Sequence, residues 1–283
     1  MSTVLEYLQK STEFLQKKGI ASPRLNAELL LADVLACKRL ELYLMYERPL
    51  AEKEIETYRE YLVRRGKFEP LPYITGNTEF YGHRFSVTPS VLIPRQETEI
   101  LIDTAKLLLK DVQSPQILDL CSGSGNIGLT LAKELTGATV TLLDIDREAM
   151  KVAYNNAKSL GLNDSLSFIV QDVRDLTNDL GLFDLITANP PYVSLAEYES
   201  LQEEIIHYEP RKAVTDEQDG YSLYRIIIQN AQRYIKPGGV LAFEVGHGMC
   251  SKVEEMMKTG GYAEVTSVRD YLDIERVVYG RQA

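Results

Sequence analysis

The chain has little cysteine, no long apolar run and no basic excess where its chemistry lies, and each shortage removes a class of function. Its three cysteines, Cys37, Cys121 and Cys250, are widely separated and form no CxxC pair. Neither a disulfide framework nor a structural zinc site is expected, and a reducing cytoplasm fits. No apolar stretch approaches the roughly 20 residues that a membrane span requires. Met1 to Tyr7 carries neither a basic n-region nor an Arg-rich transit pattern, so no leader is expected. Repeats and low-complexity stretches are also missing.

The net charge is −10 and is unevenly distributed. Residues 1–85 hold 13 Lys and Arg against 12 Asp and Glu, whereas residues 86–283 hold 18 against 29. A protein that grips a phosphate backbone does so with a basic face. Nucleic acid is therefore a poor first candidate for the substrate, although Arg64-Arg65-Gly66-Lys67 offers one local basic patch. What is present is ordinary for a soluble protein: 283 residues, 45% hydrophobic and 25% charged, enough for one large domain or two.

Helical periodicity dominates the first third. Val4, Leu5, Leu8, Phe14 and Leu15 form one stripe, and Leu25, Leu29, Leu30, Val34 and Leu35 form a second that starts at Ser22-Pro23. A third helix is predicted from Glu52 to Arg65, ended by Gly66. Residues 1–67 thus read as a helical bundle. Residues 68–94, punctuated by Pro70, Pro72, Gly76, Gly82, Pro89 and Pro94, read as a β-hairpin linker. In that stretch Tyr73-Ile74-Thr75 and Arg84 to Val87 are the β-prone pieces, with a turn at Asn77-Thr78. From residue 95 to 283 helix and strand alternate. Strands are predicted at 116–120, 139–143, 165–170, 183–188 and 240–245, with late ones at 263–268 and 276–279. Pro237-Gly238-Gly239 reads as the turn into the strand at 240. This order predicts an α/β domain with a mostly parallel, Rossmann-like sheet.

Two segments carry chemistry. Asn189-Pro190-Pro191-Tyr192 follows the apolar run from Phe183 to Ala188. Proline has no N–H and a fixed φ, so a strand ladder stops here and leaves rigid backbone carbonyls free to accept. With Tyr192 as a flat wall, the segment suits a planar group bearing an NH2. The second segment, Asp119 to Gly128, is a glycine loop between a strand and a helix, where a ligand can approach the backbone. Gly123, Gly125 and Gly128 match GxGxxG, a weak signal for a dinucleotide. Asp119 would repel a pyrophosphate and suits the cationic amino-acid part of S-adenosylmethionine. Asp144, at the end of the next strand, is placed to hold ribose hydroxyls, which both cofactors possess. Asp146 reads as a helix N-cap. Asp172 and Val173 occupy the following strand end, where an acid meets an adenine amino group and an apolar side chain its face.

Taken together these residues resemble a class I S-adenosylmethionine-dependent methyltransferase acting on a planar nitrogen. Glu69 to Gly76, Glu79 to Gly82, Leu92 to Glu99, Tyr208 to Arg211 and Asp219 to Arg225 resemble the HemK/PrmC family along nearly the whole chain. That resemblance implies a seven-stranded sheet with a small N-terminal helical domain that docks the substrate. It further implies methyl transfer to N5 of the glutamine in the Gly-Gly-Gln motif of class 1 peptide chain release factors, with S-adenosylhomocysteine as product. By position, Cys121, Ser122, Gly123, Ser124, Gly125, Asp144, Val173 and Asn189 would line the cofactor site, and Asp119 and Asp172 are expected to bind the cofactor with them. Asn189, Pro190, Pro191 and Tyr192 would hold the acceptor. Val173 stands where some relatives have an aromatic residue.

An amide nitrogen is a weak nucleophile, so the expected contribution of the protein is alignment. The Asn189 side-chain oxygen and the Pro190 carbonyl would accept the two amide hydrogens and turn the lone pair toward the methyl group. No metal and no membrane is expected to take part, and a monomer is expected. None of His83, His207 and His247 is assigned a catalytic role. Arg95 and Thr98 read equally as helix-start residues and as site residues. The rivals are a methyltransferase for another protein glutamine, one for a nucleobase amino group, which would require base flipping, a non-catalytic binding module, and an NAD-linked dehydrogenase.

Overall fold

The computed structural model describes residues 3–162, 165–176 and 179–283; Met1 and Ser2, where the expected leader-free terminus begins, lie outside them. These residues divide into two units, Met1–Gly76 with Gln202–Tyr208, and Asn77–Leu201 with Glu209–Ala283. Among the described residues, no helix is long and apolar enough to cross a membrane.

The helical unit is built on α1 (Val4–Lys17), α2 (Pro23–Val34), α3 (Glu52–Arg65) and α4 (Leu71–Thr75), with a 3-10 turn over Arg39–Met45. Thr3 caps α1 by accepting from the Glu6 N–H, and a proline in the first turn starts α2. The stripes meet in a core of Val4, Leu8, Leu15, Leu30, Leu31, Leu42 and Tyr58. The Tyr58 hydroxyl is satisfied there by the Ala27 carbonyl at 3.0 Å. Buried Glu28 accepts from Arg24 at 2.6 Å, Arg39 at 2.9 Å and Tyr43 at 3.1 Å. Buried Arg65 donates to Asn26 at 2.7 Å, to the Glu69 carbonyl at 3.0 Å and to Glu204 at 2.6 Å. The last of these belongs to the distant segment that completes the unit.

Residues 68–94 depart from the expected linker. Tyr73-Ile74-Thr75 is helical, inside α4, because Pro72 sits in its first turn and both Tyr73 and Ile74 face inward. Asn77 and Thr78 open a strand instead of making a turn. The hairpin pairs β1 (Asn77–Phe80) with β2 (His83–Ser86) across Tyr81-Gly82, both at positive φ, the geometry of a tight two-residue hairpin turn. Phe80 and Phe85 pack edge to face at 6.0 Å and are buried in the core of the second unit. The hairpin is therefore part of that core.

The second unit continues with a 3-10 turn (Gln96–Thr98), α5 (Glu99–Leu108), β3 (Gln116–Leu120), α6 (Asn126–Glu134), β4 (Thr139–Asp144), α7 (Arg147–Ser159), β5 (Leu166–Val170) and β6 (Phe183–Ala188). After β6 come α8 (Leu195–Tyr198), α9 (Glu203–Tyr208, which counts with the helical unit), α10 (Arg211–Val214) and α11 (Ser222–Ala231). The chain ends with β7 (Ile235–Glu244), α12 (Cys250–Thr259), β8 (Tyr262–Arg269) and β9 (Glu275–Gln282). The sheet has seven strands in the order β5-β4-β3-β6-β7-β9-β8. The first five are parallel, and β9 runs antiparallel to both of its neighbours. Strand order reverses between β3 and β6, which opens a crevice at the carboxyl edge. Pro237-Gly238-Gly239 does not precede the strand but bulges within β7: Phe183 pairs with Ile235, and the next pairing is Leu185 with Val240.

Candidate active site

The glycine loop leaves β3 and enters α6 above a buried carboxylate. Asp119 is fully buried; one oxygen accepts from the Gly128 N–H at 3.0 Å and the other from the Thr187 hydroxyl at 2.9 Å. A Cβ at Gly128 would lie 3.0 Å from the same carboxylate oxygen, so only glycine lets α6 approach β3 this closely. Asp119 thus ties loop, helix and β6 together from below and does not line the cavity. The contact expected between this carboxylate and a cationic ligand is replaced by a clamp on the backbone. Burial pushes its carboxyl up to about 7, against the pull of Thr187 and Gly128.

Above the loop lies a cavity of about 250 Å³. Cys121, Ser122, Gly123, Ser124, Asp144, Asp172, Val173, Asn189 and Pro191 all line it, so one space joins the ends of four strands. Gly125, Pro190 and Tyr192 lie outside that lining; Gly125 instead caps the start of α6, and Pro190 is buried. Asp144 is fixed at both oxygens, by the Gly123 N–H at 2.8 Å and the Asp146 N–H at 2.9 Å. Burial raises its pKa and those two N–H groups oppose the rise. Asp172 is held below the usual carboxylate range, chiefly by the Arg174 guanidinium, which bridges to it at 2.7 Å. Its carboxylate therefore enters the cavity already engaged by a cation. Asp146 caps α7 through the Glu148 N–H at 2.9 Å and also meets Lys212 at 2.8 Å. Cys121 sits at positive φ, and its thiol stays neutral because burial and then the nearby carboxylates push its pKa up.

The side of the cavity that carries Asn189 and Pro191 is shaped by long-range partners. Tyr192 packs beside Gly246, where an added Cβ would come within 3.0 Å of the ring and 2.8 Å of the Met249 sulfur. Arg95 and Thr98 both line the cavity. Arg95 is ion-paired with buried Glu209, which also accepts from the Ile93 N–H at 3.2 Å. Thr98 is buried and interacts with the carboxyl of Glu244 at the end of β7, as does the Asn189 side chain. Glu209 lies within the segment Tyr208 to Arg211 that carries the resemblance, but nothing there points to its pairing with Arg95, and Glu244 lies in no such segment. For Glu244 a signal existed: like Asp144, it is an acid closing a buried strand at the carboxyl edge. None of His83, His207 and His247 lines the cavity. Among the described residues, no cluster of His, Cys, Asp and Glu has the makings of a metal site.

The arrangement can hold a ligand that offers hydroxyls to Asp144 and presents a reacting centre toward Asn189. The chain is similar to known proteins along nearly its whole length. Residues 6–76 match a family model described as the PrmC N-terminal domain, and residues 112–275 match one described as a methyltransferase domain. A release factor glutamine methyltransferase of Fusobacterium nucleatum is 38% identical over 280 residues, covering 99% of this chain and 79% of that protein. One from Chlorobaculum tepidum is 39% identical over 282 residues, covering 97% and 95%. In fold, the chain is similar to the catalytic domain of hMettl16 bound to an RNA hairpin, with a TM-score of 0.57, 14% identity and 81% of each chain covered.

Proposed function

The chain belongs to the release factor glutamine methyltransferase family, and from that premise we propose that its cavity takes S-adenosyl-L-methionine while residues 189–192 receive the acceptor glutamine. The protein methylates the glutamine of release factors, and the reading extends this to N5 of the glutamine in the Gly-Gly-Gln motif of class 1 factors. One observation carries the site assignment: a single cavity runs from the glycine loop and Asp144 to Asn189 and Pro191.

The residues present fit the cofactor. Asp144, locked at both oxygens by backbone N–H groups, retains lone pairs for ribose hydroxyls. Val173 and Ile145 supply apolar wall for an adenine, and Asp172 an acceptor at its edge. The acidic lining suits a ligand that carries positive charge. When bound, the cofactor supplies a methyl group already activated on a sulfonium.

The chain's own task is to make an amide nitrogen available. Asn189 Oδ1 and the Pro190 carbonyl accept the two hydrogens of the glutamine NH2, which turns its lone pair away from them. Pro190 and Pro191, each with a ring-locked φ, fix that stretch of backbone. Positioning of this kind supplies roughly 7–11 kcal/mol in favourable cases. The same acceptors stabilise positive charge growing on nitrogen. The methylated nitrogen is acidic enough to release its proton to water, so no strong base is required.

Transfer of label from tritiated S-adenosylmethionine tests the reading. Label is expected on a purified release factor and not on its Gln→Ala variant or on DNA. Equal label on the variant, or label on DNA, sinks it.

A further inference from the structure

Glu244 closes β7 beside the segment that opens the acceptor site. The parallel register pairs Ala188 with Phe243, which sets residue 189 alongside residue 244 on the neighbouring strand. Glu244 is only 4% exposed, and its backbone carbonyl is occupied by the Tyr224 hydroxyl at 2.8 Å. Its carboxyl interacts with the side chains of Thr98 and Asn189, while Oε2 has no hydrogen-bond partner. The charged groups that bear on it are Arg276 from β9 and Glu97 from the 3-10 turn before α5. The hydroxyls of Tyr192 and Tyr224 complete its titratable surroundings. A buried carboxyl with one oxygen unsatisfied is unfavourable, and such exceptions call for a reason.

The side chain of asparagine supplies one. Its amide has two ends of nearly equal shape, one accepting and one donating. Only the accepting end can take a hydrogen from a substrate NH2; the reversed amide would set donor against donor. We propose that Glu244 is the positioning residue of the acceptor site, accepting a hydrogen from Asn189 Nδ2 and so turning Oδ1 toward the glutamine amide. This rests on the reading of residues 189–192 given above. Thr98, buried in the 3-10 turn before α5, interacts with the same carboxyl, so that turn and the end of β7 together would determine which end of Asn189 faces the cavity.

The ionisation state decides whether the device works. Burial pushes the Glu244 carboxyl up to about 7, with Thr98 and Arg276 pulling it down and Glu97 pushing it up. The ionised carboxylate only accepts, which enforces the productive amide. The protonated acid can donate to Oδ1 and hold the reversed one. Turnover should therefore fall as pH drops below about 7.

Methyl transfer to a purified release factor from about pH 6 to 9, with calorimetric cofactor Kd and melting curves, tests the proposal. Glu244→Ala should lower kcat about 100-fold, the scale of a lost alignment, with cofactor Kd little changed. Glu244→Gln keeps an acceptor oxygen and should retain far more activity, but its kcat should lose the acid limb. Wild-type kcat in Glu244→Ala overturns the proposal, as does an acid limb that persists in Glu244→Gln or is missing from the wild type. If Glu244→Ala does not fold, the profile of Glu244→Gln decides alone. A wild-type protein that labels no release factor would instead overturn the site reading beneath it.

Discussion

The two ends of the cavity are built by opposite means. At the glycine loop, the proposed ligand contacts are side chains held by backbone: Asp144 is pinned by two N–H groups. At Asn189 to Tyr192 the proposed acceptor site relies on backbone, and side chains distant in sequence surround it. Glu244 closes the strand beside Asn189, Glu209 holds Arg95 and the Ile93 N–H, and Gly246 leaves room for the Tyr192 ring. The first end is a local solution, assembled within one strand–loop–helix and the strand beside it. The second depends on the whole sheet edge being in register. The proposed recognition of a rigid amide needs this, because a displacement of about 1 Å there costs as much as 10²-fold in rate, whereas a hydroxyl ligand tolerates small shifts.

That contrast can be broken in four ways. Asn189→Ala should reduce turnover by on the order of 10²–10³-fold, the loss seen when one preorganised polar contact to a transition state is removed. Cofactor Kd, measured by calorimetry, should stay near the wild-type value; retained turnover would refute the division of labour. Gly246→Ala should lower kcat by up to about 10²-fold by pushing Tyr192, again without a matching change in cofactor Kd. Asp144→Asn should do the reverse: hydrogen bonds to a charged group contribute about 1.5–3 kcal/mol, read as a rise in cofactor Kd of about 10- to 100-fold with kcat at saturation less affected.

The smallest effect is a pH dependence of stability set beneath the loop. Asp119 in the folded, ligand-free protein has its carboxyl raised from 3.8 to about 7. A raised folded-state pKa means that this group's contribution is fully present below its unfolded pKa and is lost as pH rises through about 7. The ligand-free protein should therefore melt at a lower temperature at pH 8.5 than at pH 6, and Asp119→Asn should flatten that difference. A pH-independent wild-type melting temperature, or a slope unchanged in Asp119→Asn, would show that the buried carboxyl does not titrate there.

The same contrast explains what was legible in the sequence. The strands of the second unit stand out because they are buried apolar runs bounded by glycine, proline and acids. The glycine loop and Asp144 are marked by strand ends whose partners lie close by, whereas the segment 189–192 stands out through its own prolines although its partners are remote. Reading failed where a fragment's fate depended on remote packing. Tyr73-Ile74-Thr75 has β-branched and aromatic residues, yet inward packing in the helical bundle made it a turn of helix. The hairpin around Phe80 and Phe85 looked like a linker until its aromatic pair was found inside a core. Arg95 and Glu209 are 114 residues apart, and no local pattern announces their pairing. Asp119 was visible as an acid at a strand end, but its direction, down into the fold and away from the cavity, depends on Thr187 of a neighbouring strand.

The buried guanidinium of Arg65 has a consequence for how the molecule is made. Its carboxylate partner, Glu204, is encoded 139 residues later. At about 5–20 residues per second, the ribosome supplies that partner roughly 7–28 s after Arg65 is added. Until then the nascent helical unit carries an interior cation without its counter-charge, and its last piece arrives only after β6 has been synthesised. A message that stalls between the two codons would expose a half-finished amino-terminal bundle to proteases, although every one of its first 76 residues is already present.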